Sequence, residues 1–150
     1  MKNRYLKIAC VSVFVCIISL TLMGISGDRE SMAVEQLLIK RTDIMENVLS
    51  GNLTYEEGKL RLKEVEYGKL YSDDIKKLAD NMNCEHNKVI GMKIDDLRRT
   101  SGVSDLTTYQ CGITWKCSGI NGIYVQKCDY TVAADQSIEG IKLVSFEIDE

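Results

Sequence analysis

Near Lys88 the spacing of apolar residues changes from a period of 3.6 to a period of 2, and this switch divides the chain into a helical part and a β part. Before it, Val34, Leu37, Leu38, Arg41, Met45 and Val48 fall on one helical stripe that Ser31 can cap, with Gly51 just past its end. Thr54 and Glu57 form a capping box for a second helix running to about Glu66, with Tyr55, Leu62 and Val65 on its apolar side. Ser72, followed by Asp73 and Asp74, reads as the cap of a third helix that turns Ile75, Leu78, Ala79 and Met82 inward.

After the switch, Ile90, Met92 and Ile94 alternate with Gly91, Lys93 and Asp95 in a first strand, and Thr100-Ser101-Gly102 marks a turn. Cys111, Ile113, Trp115 and Cys117 share one face of the next strand. Gly122 turns the chain into a third strand, Tyr124 to Ala134, which Asp135-Gln136-Ser137 breaks. A fourth runs from Ile141 to Ile148 with Val144, Phe146 and Ile148 on one face. Short connections predict an antiparallel meander, and its single apolar face needs the amphipathic helices as a cover. The chain contains no proline, so the sheet edges lack one common guard against further pairing.

The first 27 residues are too apolar to belong to this domain. Lys2, Arg4 and Lys7 precede the uncharged run Ile8 to Ile25, and Asp28 and Glu30 follow it, which predicts an N-terminus inside and the remainder across the membrane. Eighteen residues in a helix span about 27 Å, close to a hydrocarbon core and longer than a usual secretory h-region. A retained single-span anchor over residues 1–27 is the reading that length favours; a signal peptide cleaved near Gly24-Ile25-Ser26, leaving a secreted domain, is the alternative. Residues 28–150 then form one extracytoplasmic domain, helical over 28–86 and a β-meander over 87–150. Beyond the anchor 16 basic residues stand against 22 acidic ones, a net charge near −6 that argues against a nucleic-acid surface.

The order of anchor, helices and sheet resembles the two-layer cystatin-like or nuclear-transport-factor-2-like rolls of membrane-tethered bacterial proteins, including inner-membrane components of secretion and conjugation machines. The resemblance rests on architecture and implies an α+β domain of about three helices packed on a four-stranded antiparallel meander. It transfers no residue roles.

The segment Cys117 to Cys128 reads as a hairpin with a thiol at each base. An Asn121-Gly122 turn pairs residues whose numbers sum to 243 and sets Cys117 against Gln126. A Gly122-Ile123 turn raises the sum to 245 and sets Cys117 directly opposite Cys128, Trp115 opposite Tyr130 and Ile113 opposite Val132. The second register matches aromatic with aromatic and predicts a Cys117–Cys128 disulfide in an oxidising compartment, with Cys84 and Cys111 as a possible second pair. Four buried reduced thiols are the alternative.

No constellation for catalysis stands out. Cys84 and His86, two apart, are poorly placed for a nucleophilic dyad, and no Cys-x-x-Cys pair supports a metal site. The acid pairs Glu56-Glu57 and Asp73-Asp74 are explained by helix N-termini, and Asp95-Asp96 by a solvated strand end. Trp115, Tyr124 and Tyr130 are the aromatics placed to line a ligand groove, although core packing is their commoner role. The sequence therefore predicts a non-enzymatic, membrane-anchored interaction or assembly module of a bacterial envelope complex. It needs no cofactor, metal or nucleic acid, and it meets protein partners at the sheet edge or at the cleft between helices and sheet. A tethered or secreted small-ligand binder, its pocket between the layers, is the second reading.

Overall fold

The change of period near Lys88 marks the boundary between layers in the computed structural model, which describes residues 29–82, 84, 87–137 and 140–149. Three helices, α1 (Arg29–Leu49), α2 (Tyr55–Val65) and α3 (Gly68–Asn81), precede four strands, β1 (Lys88–Val103), β2 (Leu106–Gly119), β3 (Gly122–Ser137) and β4 (Gly140–Ile148). The strands form one antiparallel meander in the order β1-β2-β3-β4. The expected anchor over residues 1–27 and the histidine at 86 lie outside the described residues. Among the described residues, no helix is long and apolar enough to cross a membrane.

Two apolar clusters hold the layers. Val34 and Leu38 of α1 and Leu70 of α3 pack on the inner sheet face of Tyr109, Cys111, Ile113, Tyr130, Val132, Ala134 and Leu143. Ile44 and Val48, further along α1, pack with Leu62, Val65 and Leu78 between the helices. The predicted stripe on α1 therefore exists, but its two ends serve different neighbours, and Ile44 rather than Met45 is fully buried. The capping box at Thr54 is present: Glu57 N–H donates to Thr54 Oγ1 at 3.3 Å, and Thr54 N–H donates to Glu57 Oε2 at 2.9 Å.

Several boundaries move. Ser31 lies inside α1, already helical at Arg29, and Ser72 lies inside α3. The Ser72 hydroxyl donates back to the Gly68 carbonyl at 3.1 Å, so it bonds within the helix instead of capping it. The chain does not turn at Thr100-Ser101-Gly102. It continues in β1 to Val103, and Ser104, at φ 56°, begins the actual turn. Likewise β3 runs through Asp135 to Ser137, because Leu106 of β2 and Lys142 of β4 pair with Asp135 on either side. In β4 a bulge at Val144 changes the face, so Leu143 is fully buried in place of Val144.

The β2–β3 hairpin adopts neither expected register. Gly119 pairs with Gly122, Ile120 and Asn121 form the loop, and paired numbers sum to 241. Gly122 takes φ +105°, a conformation that L side chains rarely adopt, which fixes it as the glycine just past the loop. Cys117 consequently faces Tyr124, and Cys128 faces Ile113. Four residues of β3 separate Cys128 from the position opposite Cys117, about 13 Å along the strand, well beyond the reach of a disulfide. The expected Cys117–Cys128 staple is thus replaced by thiols: Cys111, Cys117 and Cys128 are free, so the Cys84–Cys111 pair is absent too. Trp115 faces Gln126 and Ile113 faces Cys128, correcting the aromatic and aliphatic pairing expected of the sum of 245.

Gly58 shows how tightly α2 sits on α1. A Cβ there would lie 2.3 Å from Val48 Cγ2. Gly58→Ala is therefore expected to destabilise the domain by about 1–3 kcal/mol despite its better helix propensity. In a Val48→Ala background the same change should be neutral or stabilising, as denaturant titration of the four proteins will report. For the thiols, unfolding in alkylating agent without reductant should label Cys111, Cys117 and Cys128 completely. Cys128→Ala should also cost less than the ~2–5 kcal/mol that loss of a native disulfide carries.

Candidate functional site

Arg41 occupies the point on α1 where the two apolar clusters meet, and it brings a charge into the interior. Its side chain is 8% exposed, and those of Glu66 and Asp74 are 0% exposed. Arg41 Nε lies 3.1 Å from Glu66 Oε2 and 2.6 Å from Asp74 Oδ2, and Lys77 Nζ reaches Asp74 Oδ1 at 3.4 Å from the solvent side. The guanidinium also lies over the Phe146 ring, 4.8 Å from its centre. One side chain thereby joins α1, the α2–α3 link, α3 and β4.

Two carboxyl groups against one buried guanidinium leave the cluster short of positive charge. Burial, and next the Asp74 carboxylate, push the Glu66 carboxyl up to about 8, with Arg41 opposing them. Glu66 Oε1 is buried without a hydrogen-bond partner, which adds to the cost of ionising it. Chemically the cluster stores a proton at neutral pH. Both carboxyl groups are sealed from solvent, so it acts as a structural ionic lock and not as a surface where a substrate meets an acid and a base. Its sequence signals were a charge within an apolar stripe, at Arg41, and an acid at the helical spacing of Leu70 and Leu78, at Asp74. Reading Asp74 as a helix-terminal charge concealed the second.

The open surface lies elsewhere, along the first half of β3. β4 pairs with β3 only from Tyr130 to Ser137, and the Asp149 N–H donates to the Asp129 carbonyl at 3.0 Å where that pairing stops. No described strand lies beside residues 122–128 on that side. A two-residue loop closed by Gly119 and Gly122 makes 122, 124, 126 and 128 exchange hydrogen bonds with β2. Ile123, Val125 and Lys127 therefore direct their N–H and C=O groups into the empty lane. The apolar side chains beside it are exposed as well: Ile120 by 91%, Ile123 by 63%, Val125 by 65% and Tyr124 by 41%. The opposite edge, β1, is broken by three register shifts and carries Lys93, Arg98 and Arg99, features that discourage pairing.

The three aromatics do not share a groove. Tyr130 is buried, stacks on Phe146 at 4.4 Å between centres, and accepts a hydrogen bond from Trp115 Nε1 at 2.9 Å. Tyr124 stands apart at the hairpin end, beside a hollow of about 270 Å3. The space between the layers is filled by Val34, Leu38, Tyr109 and Tyr130, and the groove between α1 and β1 measures about 230 Å3, small for an organic ligand. Burial pushes the Cys111 thiol up to about 11, which leaves it protonated and inert. Cys84, exposed after α3, donates to the Asp80 carbonyl at 3.6 Å. On the outer sheet face Asp95, Asp96, Asp129 and Asp149 share a shallow groove of about 390 Å3 with Arg98 and Lys127, and Lys93 and Thr114 both bond Asp95. Among the described residues no group of three His, Cys, Asp or Glu side chains is arranged to hold a metal.

No protein-family model matches the chain, and no curated protein matches it in sequence. Its fold is similar to that of the intermembrane space region of the chloroplast protein ARC6, with a TM-score of 0.54 at 13% identity, over 81% of this chain and 97% of that one. CagV, a VirB8 homologue of the type IV secretion system from Helicobacter pylori strain 26695, aligns with a TM-score of 0.49 at 19% identity, over 63% of this chain and 81% of that one. The first likeness establishes a shared two-layer α+β architecture.

The ionic lock sets a pH dependence. The carboxyl of Glu66 titrates at about 8 in the folded chain against 4.5 as its ordinary value, so between these values folding takes up a proton. Its contribution to stability is full below about pH 4.5 and falls as pH rises towards 8, at on the order of 1 kcal/mol per pH unit. Denaturant midpoints measured from pH 5 to pH 9 should decline more steeply for the wild type than for Glu66→Gln, which keeps the shape and cannot ionise. Equal slopes would show that Glu66 is ionised in the folded chain.

Proposed function

We propose that this chain is a non-enzymatic interaction or assembly module of a bacterial cell-envelope complex, held at the membrane by residues 1–27 and carrying its α+β domain on the outer side. The observation that carries this reading is the open edge of β3 from Gly122 to Cys128 with its exposed apolar hairpin. An unpaired strand that presents backbone donors and acceptors beside Ile120, Ile123 and Val125 has the form of a surface that takes an added strand. Lys127 is the one charge that blunts this stretch, which has no proline and no register shift against β2. The buried ionic lock supports a scaffolding role, since the one sealed charge cluster among the described residues is turned inward, away from that edge. The ARC6 region, an intermembrane space domain by its description, lends the reading its analogy of setting.

Two measurements test it. Reporter fusions at the C-terminus should be active outside the cytoplasm and silent within it; cytoplasmic activity alone would refute the placement. Chemical cross-linking in intact membranes, followed by gentle solubilisation, should yield a stoichiometric protein complex that Ile123→Lys weakens at least tenfold. That site is exposed, so the substitution should leave thermal stability within about 0.5 kcal/mol of the wild type. A complex indifferent to Ile123→Lys would move the contact surface away from this edge.

A further inference from the structure

We propose that the β3 edge takes up an acidic, aliphatic strand of a different protein, drawn there by lysines that share the outer sheet face with Ile123 and Val125. This deepens the preceding reading, on which it rests, by naming the chemistry of the partner. The register places the cations. Ile113, Trp115 and Cys117 turn inward, so the residues between them face out. Three rows then cross the outer face at the hairpin end: Lys88, Ser118 and Ile123; Gly91, Lys116 and Val125; Lys93, Thr114 and Lys127. The chain carries 22 acidic residues against 19 basic ones, yet residues 87–94 and 110–128 hold four lysines and no acid. Carboxylates begin only past the third row, where Asp96 and Asp129 flank Gly112. Asp95, at the bulge before them, holds Lys93 Nζ at 2.6 Å and Lys127 Nζ at 4.0 Å. Lys88 and Lys116 are exposed, and no carboxylate among the described residues pairs with either.

This distribution selects a partner. A strand added beside Ile123, Val125 and Lys127 sets the side chains opposite them on the same outer face. Aliphatic residues there cover Ile123 and Val125, each now about two-thirds exposed, and a carboxylate meets the ammonium of Lys127, which Asp95 reaches only at 4.0 Å. Lys116 stands two strand spacings from the added strand, about 10 Å, near the range of ionic attraction at physiological salt, so it acts on the partner's approach. Lys127, a guard against indiscriminate pairing, thereby becomes a selector for acid. A second copy of this end would bring lysines against lysines. Anionic lipid would suit the lysines, but a hydrocarbon interior leaves the free N–H and C=O groups of the edge unsatisfied. The start of α1 also lies at the other end of the sheet, where the Tyr109 hydroxyl donates to Glu30 Oε1 at 2.6 Å, about 33 Å along β2 from Gly119.

The test uses the full chain in mild detergent with two synthetic peptides of equal length, one of valine, threonine and aspartate, the other with lysine in place of each aspartate. At low salt the aspartate peptide should bind at least tenfold tighter than the lysine peptide, and high salt should weaken it at least fivefold. Bound, it should slow hydrogen exchange at the Ile123, Val125 and Lys127 amides at least tenfold. Lys88→Glu with Lys116→Glu, both exposed and off the edge, should weaken it at least tenfold while the melting temperature stays near that of the wild type. Equal binding of the two peptides, or binding indifferent to salt and to the double variant, would overturn the acidic partner. So would concentration-dependent protection of the three amides without peptide, which assigns the edge to a second copy. Sedimentation with phosphatidylglycerol vesicles that the double variant abolishes, in a chain that ignores the aspartate peptide, would assign the lysines to lipid and overturn it as well. In membranes, a complex released by Ile123→Lys and untouched by the double variant leaves the edge reading standing and sinks only the acidic partner; a complex that survives both takes the edge reading with it.

Discussion

The contact of the Arg41 guanidinium with the carboxyl groups of Glu66 and Asp74 is the one on which the arrangement of the helices depends. Each cluster of apolar side chains tells a helix which face to bury, but such packing tolerates sliding and rotation. A buried guanidinium does not. Removing Arg41 or Asp74 breaks the buried pair between them, at a cost of roughly 3–5 kcal/mol. Arg41 reaches Asp74 at 2.6 Å and Glu66 at 3.1 Å, so α1 has one rotation and one height at which both carboxyl groups are met. Replacement by well-packed apolar side chains would preserve burial and lose that specification.

The same residue connects the helical layer with the sheet. Its guanidinium lies on Phe146, Phe146 stacks on Tyr130, and Tyr130 holds the indole of Trp115. Beyond Trp115 the inner face of the hairpin carries Cys117 and, opposite it, Tyr124. Cys117 is buried and Tyr124 partly exposed, and β4 has already stopped pairing at Tyr130. β3 has 16 residues and β4 has 9, so among the described residues nearly half of β3 has no strand beside it on that side. A sheet that ends unevenly offers backbone hydrogen-bonding groups in a row, and the side chains above them are aliphatic where most exposed edges carry charge.

Much of this was legible in the residues themselves. The helix stripe at Val34, Leu38 and Val48, the capping box at Thr54 and Glu57, and the strict alternation from Cys111 to Cys117 are local patterns that state which face is buried. The helix starts at Ser31 and Ser72 were misread for a physical reason. A serine hydroxyl satisfies a carbonyl within a helix as readily as an N–H at its start, and composition alone does not distinguish the two. Asp74 was misread likewise, because an acid near a helix start has a sufficient local explanation, and its partner is 33 residues away in sequence.

By itself the sequence determined the class of the fold, the number and order of the described elements, and which face of β2 turns inward, since the side-chain period is a property of neighbouring residues, whereas in β4 a bulge changed the face. Register was left to the tertiary structure. Pairings that sum to 241, 243 or 245 all keep Cys117 and Cys128 on the inner face, because strands sliding by an even count keep their sides, so no hydrophobic pattern can choose among them. The loop at Ile120-Asn121, with Gly122 in a conformation open to glycine, made that choice and left the cysteines apart. The partners of Arg41 and the length of the bare edge were likewise decided only when distant segments met, since each depends on where one element ends against another and not on what either contains.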